Sequence, residues 1–211
     1  MIKINEKNIN TNKYWDKTYN RGLDPNIVKM DTFKFENIAH HIIDGRFVVD
    51  LGCGTGELCD VIKKLRPNCA VHGVDYSVEA IKQAKKKNPS NIYEVSDIAT
   101  TGFEANQFDY VVSTETIEHL EKPEELLREA SRLLRINGVF MLTTPFKDHI
   151  PSSEHVWEFN FSDIEYILMK RFKKYWVFPW AAGWTEVREE RTGRLVFPKG
   201  HWDTIFAIAI K

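Results

Sequence analysis

The sequence has only three cysteines, Cys53, Cys59 and Cys69, and no CxxC pair. An odd, scattered set excludes a disulfide framework and a cysteine zinc site, and fits a reducing cytoplasm. Long hydrophobic runs are missing as well. No stretch reaches the roughly 18 uninterrupted apolar residues of a membrane-spanning helix. The polar start, MIKINEKNINTNKYW, has no apolar signal-peptide segment. Net charge is nearly absent: 29 Lys and Arg against 30 Asp and Glu give −1. A general nucleic-acid binder carries a basic excess, so this balance argues against one, although a local patch stays open. There is no internal repeat and no long low-complexity segment.

What is present is 211 residues, 43% of them hydrophobic. That suffices for one core and falls short of two ordinary domains. The tryptophans are uneven. Trp15 stands alone, whereas Trp157, Trp176, Trp180, Trp184 and Trp202 all follow residue 150.

Residues 1–22 are rich in Asn and Lys and are expected to be loose as far as Tyr14-Trp15. Phe33, Ile38 and Ile42 recur at near-helical spacing and predict a helix over 32–43. From residue 47 strands and helices alternate. Strands are expected at 47–51, 70–76, 91–98, 108–114 and 139–145, with helices after the first, second and fourth, the last opened by Pro123 and ended by Asn137-Gly138. Lys85, Lys86 and Lys87 fall at a helix C-terminus, where cations suit the macrodipole and a solvated end explains them. Such alternation builds a doubly wound α/β fold on a mostly parallel sheet. After 145 the alternation breaks: a helix at 161–172, a strand at 174–179 and a final strand at 203–211 are expected, the last two pairing antiparallel across a long link.

The first strand runs into 50-DLGCGTG-56, where Gly52, Gly54 and Gly56 separate a strand from a helix. Glycine allows a sharp turn and close approach of a ligand, and open parallel sheets bind ligands at their strand C-terminal ends. The spacing is GxGxG rather than the dinucleotide GxGxxG, and no GK[ST] follows to make a P-loop. A nicotinamide oxidoreductase is therefore disfavoured. Asp50 would repel a pyrophosphate and attract a cationic aminoacyl sulfonium. Asp75, ending the second strand, is placed to accept both hydroxyls of a ribose, and Asp97, ending the third, can accept from an adenine amino group. Either aspartate alone would more often be a helix cap or turn residue.

In this order DLGCGTG, GVDYS, VSDI, FDYVVSTETIEHL and LLRINGVFMLTTP resemble the class I S-adenosylmethionine-dependent methyltransferases, over roughly residues 14–211. The resemblance implies S-adenosyl-L-methionine as cofactor and a seven-stranded Rossmann-like sheet whose last strand is antiparallel. It implies that Gly52, Gly54 and Gly56, with Asp50 nearby, pass under the methionine moiety, that Asp75 holds the ribose and that Asp97 holds the adenine. Tyr14-Trp15 resembles a YWD segment that closes over the cofactor. One domain over 1–211 is expected, with 1–45 as lid, 46–145 as cofactor core and 146–211 as acceptor side.

The fourth strand ends at 115-ETIEHL-120. In a helical turn Glu115, Glu118 and His119 would share one face, and His155 lies in the loop after the fifth strand. Two carboxylates and two imidazoles can hold Mg or Mn, which would lower the pKa of an acceptor hydroxyl. ExxEH with a later His resembles the metal-assisted quinone-biosynthesis O-methyltransferases and the small-RNA ribose 2′-O-methyltransferases. The alternative is a site without metal, in which His119 acts as base and Glu115 lines the pocket. His40 and His41 read as surface or packing residues and His72 as structural, with His149 and His201 in loops near the acceptor side.

The segment 180–203 mixes Trp180, Trp184 and Trp202 with Arg188, Arg191, Arg194 and Lys199. Aromatic faces suit sugars and planar rings, and arginines suit carboxylate or phosphate, while a lid or subunit contact explains the same residues. O-methylation of a small hydroxylated acceptor (a sugar, a glycan end or a phosphorylated metabolite) is favoured over RNA ribose 2′-O-methylation. A non-catalytic cofactor-binding partner subunit is a further alternative.

Overall fold

The computed structural model describes residues 1–22, 25–147, 152–180, 187–188, 195–196 and 204–211. In chain order the elements are β1 (Ile2–Lys3), α1 (Asn12–Arg21), α2 (Pro25–His40), β2 (Phe47–Leu51), α3 (Glu57–Leu65), β3 (Ala70–Asp75), α4 (Val78–Lys87), β4 (Ile92–Val95) and β5 (Phe108–Thr114). There follow a 3₁₀ turn (Ile117–His119), α5 (Pro123–Leu133), β6 (Leu134–Pro145), β7 (Trp157–Glu158), α6 (Phe161–Met169), β8 (Lys174–Trp180), β9 (Val187–Arg188), β10 (Leu195–Val196) and β11 (Thr204–Ile210).

Seven strands form one sheet in the order β4-β3-β2-β5-β6-β11-β8. All neighbours from β4 to β6 are parallel, and β11 runs antiparallel to both β6 and β8. The sheet is buried on both faces because successive side chains point to opposite sides. Val49 and Leu51 of β2, with Ile205 and Ala207 of β11, pack against Leu126, Leu127 and Leu133 of α5 and Ile164 of α6. Val48 and Phe206 face the other way, onto Ile38 of α2 and Leu58 and Ile62 of α3.

Local chemistry sets the helix ends. Pro123 opens α5 with Glu124 and Glu125 in its first turn, where a missing N–H is harmless and negative charge suits the dipole. Asn160 and Asp163 make a reciprocal capping box on α6, each side chain accepting the other's backbone N–H at 3.0 Å. Ser77 caps α4 by accepting from the Ala80 N–H at 3.1 Å. Lys85, Lys86 and Lys87 are exposed in the last turn of that helix.

Several boundaries differ from expectation. The segment expected to be loose as far as Tyr14-Trp15 is ordered: Ile2–Lys3 form β1, and α1 begins at Asn12, capped by Thr11. The second helix starts at Pro25, seven residues earlier than its apolar spacing indicates. The fifth helix stops at Leu133, and Asn137 lies inside β6 with φ of 63°. A register shift between Phe108 and Tyr110 of β5 absorbs that irregularity, opposite Leu134 and Val139.

Two of the late tryptophans are packing residues. Trp157 packs on one core and donates its indole N–H to the Leu120 carbonyl at 2.9 Å. Trp180 packs on the other, with its ring 4.9 Å from that of Phe206. Trp176 is exposed on the edge strand β8. His149, Trp184, Arg191, Arg194, Lys199, His201 and Trp202 lie outside the described residues, as does the side chain of Arg188.

Candidate functional site

A cavity of about 270 Å³ opens at the C-terminal ends of β2, β3 and β5. This is where open α/β sheets bind ligands. Its wall includes Trp15, Gly52, Asp75, Asp97, Glu115 and His119 from the sequence-predicted set, together with Asn8, Asn10, Tyr19 and Tyr76. Asp50, Gly54, Gly56, Glu118 and His155 stand behind that wall rather than on it.

The glycine turn is built by close approach. Gly52 has φ of 85°, and a Cβ there would sit 2.5 Å from Thr116 Oγ1. Gly54 has φ of 53°, and its Cβ would lie 2.9 Å from the Tyr19 hydroxyl. Any other residue would be strained in its backbone and would collide at both places. Gly56 has φ of 84°, and its Cβ would meet the Tyr93 hydroxyl at 2.5 Å.

Asp75 organises this turn. Its carboxylate accepts the Gly54 N–H at 2.8 Å and the Ser77 N–H at 2.9 Å, and burial raises its pKa. Asp97 is exposed in the cavity wall, with one oxygen taking the Ala99 N–H at 2.8 Å. Asp50 is fully buried, one oxygen 3.8 Å from the Cys59 thiol and the other without a protein partner among the described residues. Burial, and then the nearby Asp75 carboxylate, push Asp50 up to about 8.

Helix α1 closes one side. Trp15 meets the His119 ring edge-on at 5.1 Å and lies 6.0 Å from the Tyr19 ring. Asp16 reaches across to the Ser77 hydroxyl at 2.6 Å and the Glu79 N–H at 3.0 Å. Tyr14 donates to the Glu154 carboxylate. Sequence reasoning did not single out Tyr19 or Asp16 as site residues. The i, i+4 pairing of Trp15 with Tyr19 on a helix was the available signal.

The ExxEH segment, whose His119 meets Trp15, does not form one continuous helical face. Glu115 lies before the 3₁₀ turn with φ of 47°, its Oε1 2.8 Å from the Thr143 hydroxyl and 3.8 Å from the Lys34 ammonium. Glu118, His119 and His155 do converge, each offering a ligand atom within 4.8 Å of the others. Glu118 is 2% exposed, accepts from the Thr144 hydroxyl at 2.9 Å, and leaves Oε1 without a hydrogen-bond partner among the described residues. Burial first, then the Glu115 charge, hold its carboxyl well above the usual range. His119 Nδ1 faces the Glu154 carbonyl at 3.1 Å, and Nε2 lies 3.7 Å from Glu118 Oε1. Burial pulls His119 down to about 4 and also lowers His155. Both imidazoles are therefore neutral near pH 7, the form that ligates metals.

Residues 49–142 match the family model described as a methyltransferase domain. Over these residues, less than half of the chain, the sequence is similar to methyltransferase domains. The malonyl-(acyl-carrier protein) O-methyltransferase of Enterobacter lignolyticus is 29% identical over 111 residues, which cover 52% of this chain and 43% of that protein. A ubiquinone biosynthesis O-methyltransferase of Coxiella burnetii is 30% identical over 106 residues, 48% of this chain and 44% of that one. The chain thus spans less than half the length of these curated relatives. Among solved structures, a SAM-dependent methyltransferase from Aquifex aeolicus superposes with a TM-score of 0.66 at 17% identity, covering 92% of this chain and 97% of that one. That likeness is one of fold.

Proposed function

We propose that the protein transfers a methyl group from S-adenosyl-L-methionine to a hydroxyl of a small acceptor: a sugar, a glycan end or a phosphorylated metabolite. The observation that carries this reading is the arrangement of the cavity wall. Gly52, Asp75 and Asp97 lie at the strand ends of one cavity that also reaches Glu115 and His119. On this reading residues 46–145 are the cofactor half, 1–45 the lid and 146–211 the acceptor side.

S-adenosylmethionine supplies the methyl on a sulfonium centre, and displacement at that carbon depends mainly on alignment. The chain's part is positioning. Asp75 presents a fixed carboxylate to a vicinal diol, its orientation held by two backbone N–H groups. Asp97 offers its carboxylate to an amino group beyond it, and Trp15 covers the opening beside His119. An acceptor hydroxyl at the His119 end has its proton taken up or polarised there. A histidine held near 4 is a weak base at neutral pH, which favours a ligand role for its imidazole over that of a free general base.

The donor set fits a divalent cation. Glu118 Oε1 is buried and has no hydrogen-bond partner among the described residues, beside two neutral imidazoles, and the Glu154 carbonyl opposite Nδ1 leaves His119 Nε2 to face the cluster. Glu118, His119 and His155 would hold Mg or Mn, with Glu115 at longer range. Such an ion, when bound, would lower the pKa of an acceptor hydroxyl.

Near-neutral charge supports a small acceptor over RNA, and the two O-methyltransferase relatives support oxygen as the methylated atom. Three unpaired, buried cysteines support a cytoplasmic setting. No described helix is long and apolar enough to cross a membrane. A methyl-transfer screen against sugars, nucleoside-diphosphate sugars, phenols and short RNAs, with Mg, Mn or EDTA, tests the proposal. Turnover of a hydroxylated small molecule that EDTA suppresses is expected. Turnover confined to RNA would overturn the acceptor class, and turnover unchanged by EDTA would remove the metal.

A further inference from the structure

The first eleven residues form a strap fastened by asparagine side chains to the two segments that carry the histidines. Asn5 Nδ2 donates to the His155 carbonyl at 2.5 Å, and the Ile4 N–H donates to the Val156 carbonyl at 2.9 Å. Asn10 reaches both segments at once. Its Nδ2 lies 2.7 Å from the Glu154 carbonyl, 3.2 Å from the His119 carbonyl and 2.8 Å from Asn8 Oδ1.

Three acceptors around two hydrogens leave the amide one workable orientation, since the reverse would set oxygen against oxygen. The consequence is visible at the other end: Asn10 Oδ1 is shut off from solvent with no hydrogen-bond partner among the described residues. A buried acceptor left unpaired costs stability, so this side chain is held for what its N–H groups do. The Glu154 carbonyl they grip is also the one that faces His119 Nδ1 at 3.1 Å. One carbonyl therefore fixes the His119 ring, and Asn10 fixes that carbonyl. The two segments also meet directly, through the Val156 N–H to the Glu118 carbonyl at 2.8 Å, the Trp157 indole N–H to the Leu120 carbonyl at 2.9 Å and the His119 and His155 rings at 5.2 Å.

We propose that Asn10 is a positioning residue that clamps the His119 turn to the His155 loop, so that Glu118, His119 and His155 present their donor atoms to one divalent cation. The inference rests on the divalent-cation reading given above. Ligands on two loops about 35 residues apart need such a brace, and outer partners of ligating histidines govern affinity by about 10- to 100-fold.

The test uses the full chain and cobalt(II) alone, followed by its visible absorption band. Asn10→Ala removes the clamp, and Asn10→Leu keeps a similar branched outline without N–H donors. Asn68→Ala serves as control, since it deletes a side-chain hydrogen bond of 2.6 Å to Asp44 on the opposite side of the fold from the strap contacts. The wild type and the control are expected to bind one cobalt per chain with the same band. Both Asn10 variants are expected to bind about 10- to 100-fold more weakly, with a displaced band, at thermal stability matched to the control. If either folded Asn10 variant keeps the wild-type affinity and spectrum, the clamp is overturned and the cation site stands. If the wild type binds no cobalt, or Glu118→Gln binds it equally well, the cation reading falls and the clamp falls with it.

Discussion

Asp50 shows how one buried carboxyl reports on the site. It sits beneath the glycine turn, fully enclosed, with Asp75 as its nearest charged neighbour in effect. Its folded pKa of about 8 lies above the roughly 3.9 of an unfolded aspartate. The folded state thus binds this proton more tightly, and the resulting stability is complete below about pH 4 and lost as pH rises through 8. Asp50→Asn cannot titrate, so the stability difference, variant minus wild type, should grow in the variant's favour between pH 5 and pH 8. Urea denaturation of the unliganded protein measures it, and a pH-independent difference would contradict the account. At this scale the sequence was informative where local geometry is compulsory. Gly52 and Gly54 were legible because positive φ and close contact leave no substitute, and Asp75 because its strand end follows from the alternation. Asn10 and Tyr19 were not, because their roles depend on partners more than 30 residues away.

Among elements, α1 is the least expected and the most consequential. It carries no fully buried residue, so little beyond the Trp15–Tyr19 spacing announced it. Polar contacts hold it instead, chiefly Asp16 to the Ser77 hydroxyl and the Glu79 N–H at the start of α4. Asp16 thereby acts as a second cap on α4 and keeps its own carboxyl below the usual range. Asp16→Ala should cost about 1 kcal/mol, the usual worth of a cap, and should raise amide hydrogen exchange in residues 12–21. Unchanged exchange there would show that α1 is held by other contacts. The 3₁₀ turn teaches a related lesson. The ExxEH spacing suggested a helical face, but β5 ends at Thr114 and Glu115 takes a left-handed conformation before the turn begins. Tertiary context at a strand end overrode the periodicity.

Across the whole molecule, the tryptophan asymmetry has partly dissolved. Trp157 and Trp180 pack against the two cores, and Trp176 is exposed on β8. What the alternating strands did foretell is the mostly parallel sheet, because apolar runs at this spacing have few other ways to be buried on both faces; the seven strands and the antiparallel β11 were what the family resemblance implied. The order of cavity residues along the strand ends, from Gly52 through Asp75 to Asp97, followed from that topology. The central claim is that this cavity takes an adenosyl-sulfonium cofactor rather than a dinucleotide. Calorimetric titration of the full chain with S-adenosylhomocysteine and with NAD, repeated on Asp97→Ala, tests it most directly. The account predicts one S-adenosylhomocysteine per chain, no NAD binding, and about tenfold weaker binding in the variant from the lost charged hydrogen bond. Binding of NAD without S-adenosylhomocysteine, or equal affinity in Asp97→Ala, would contradict it.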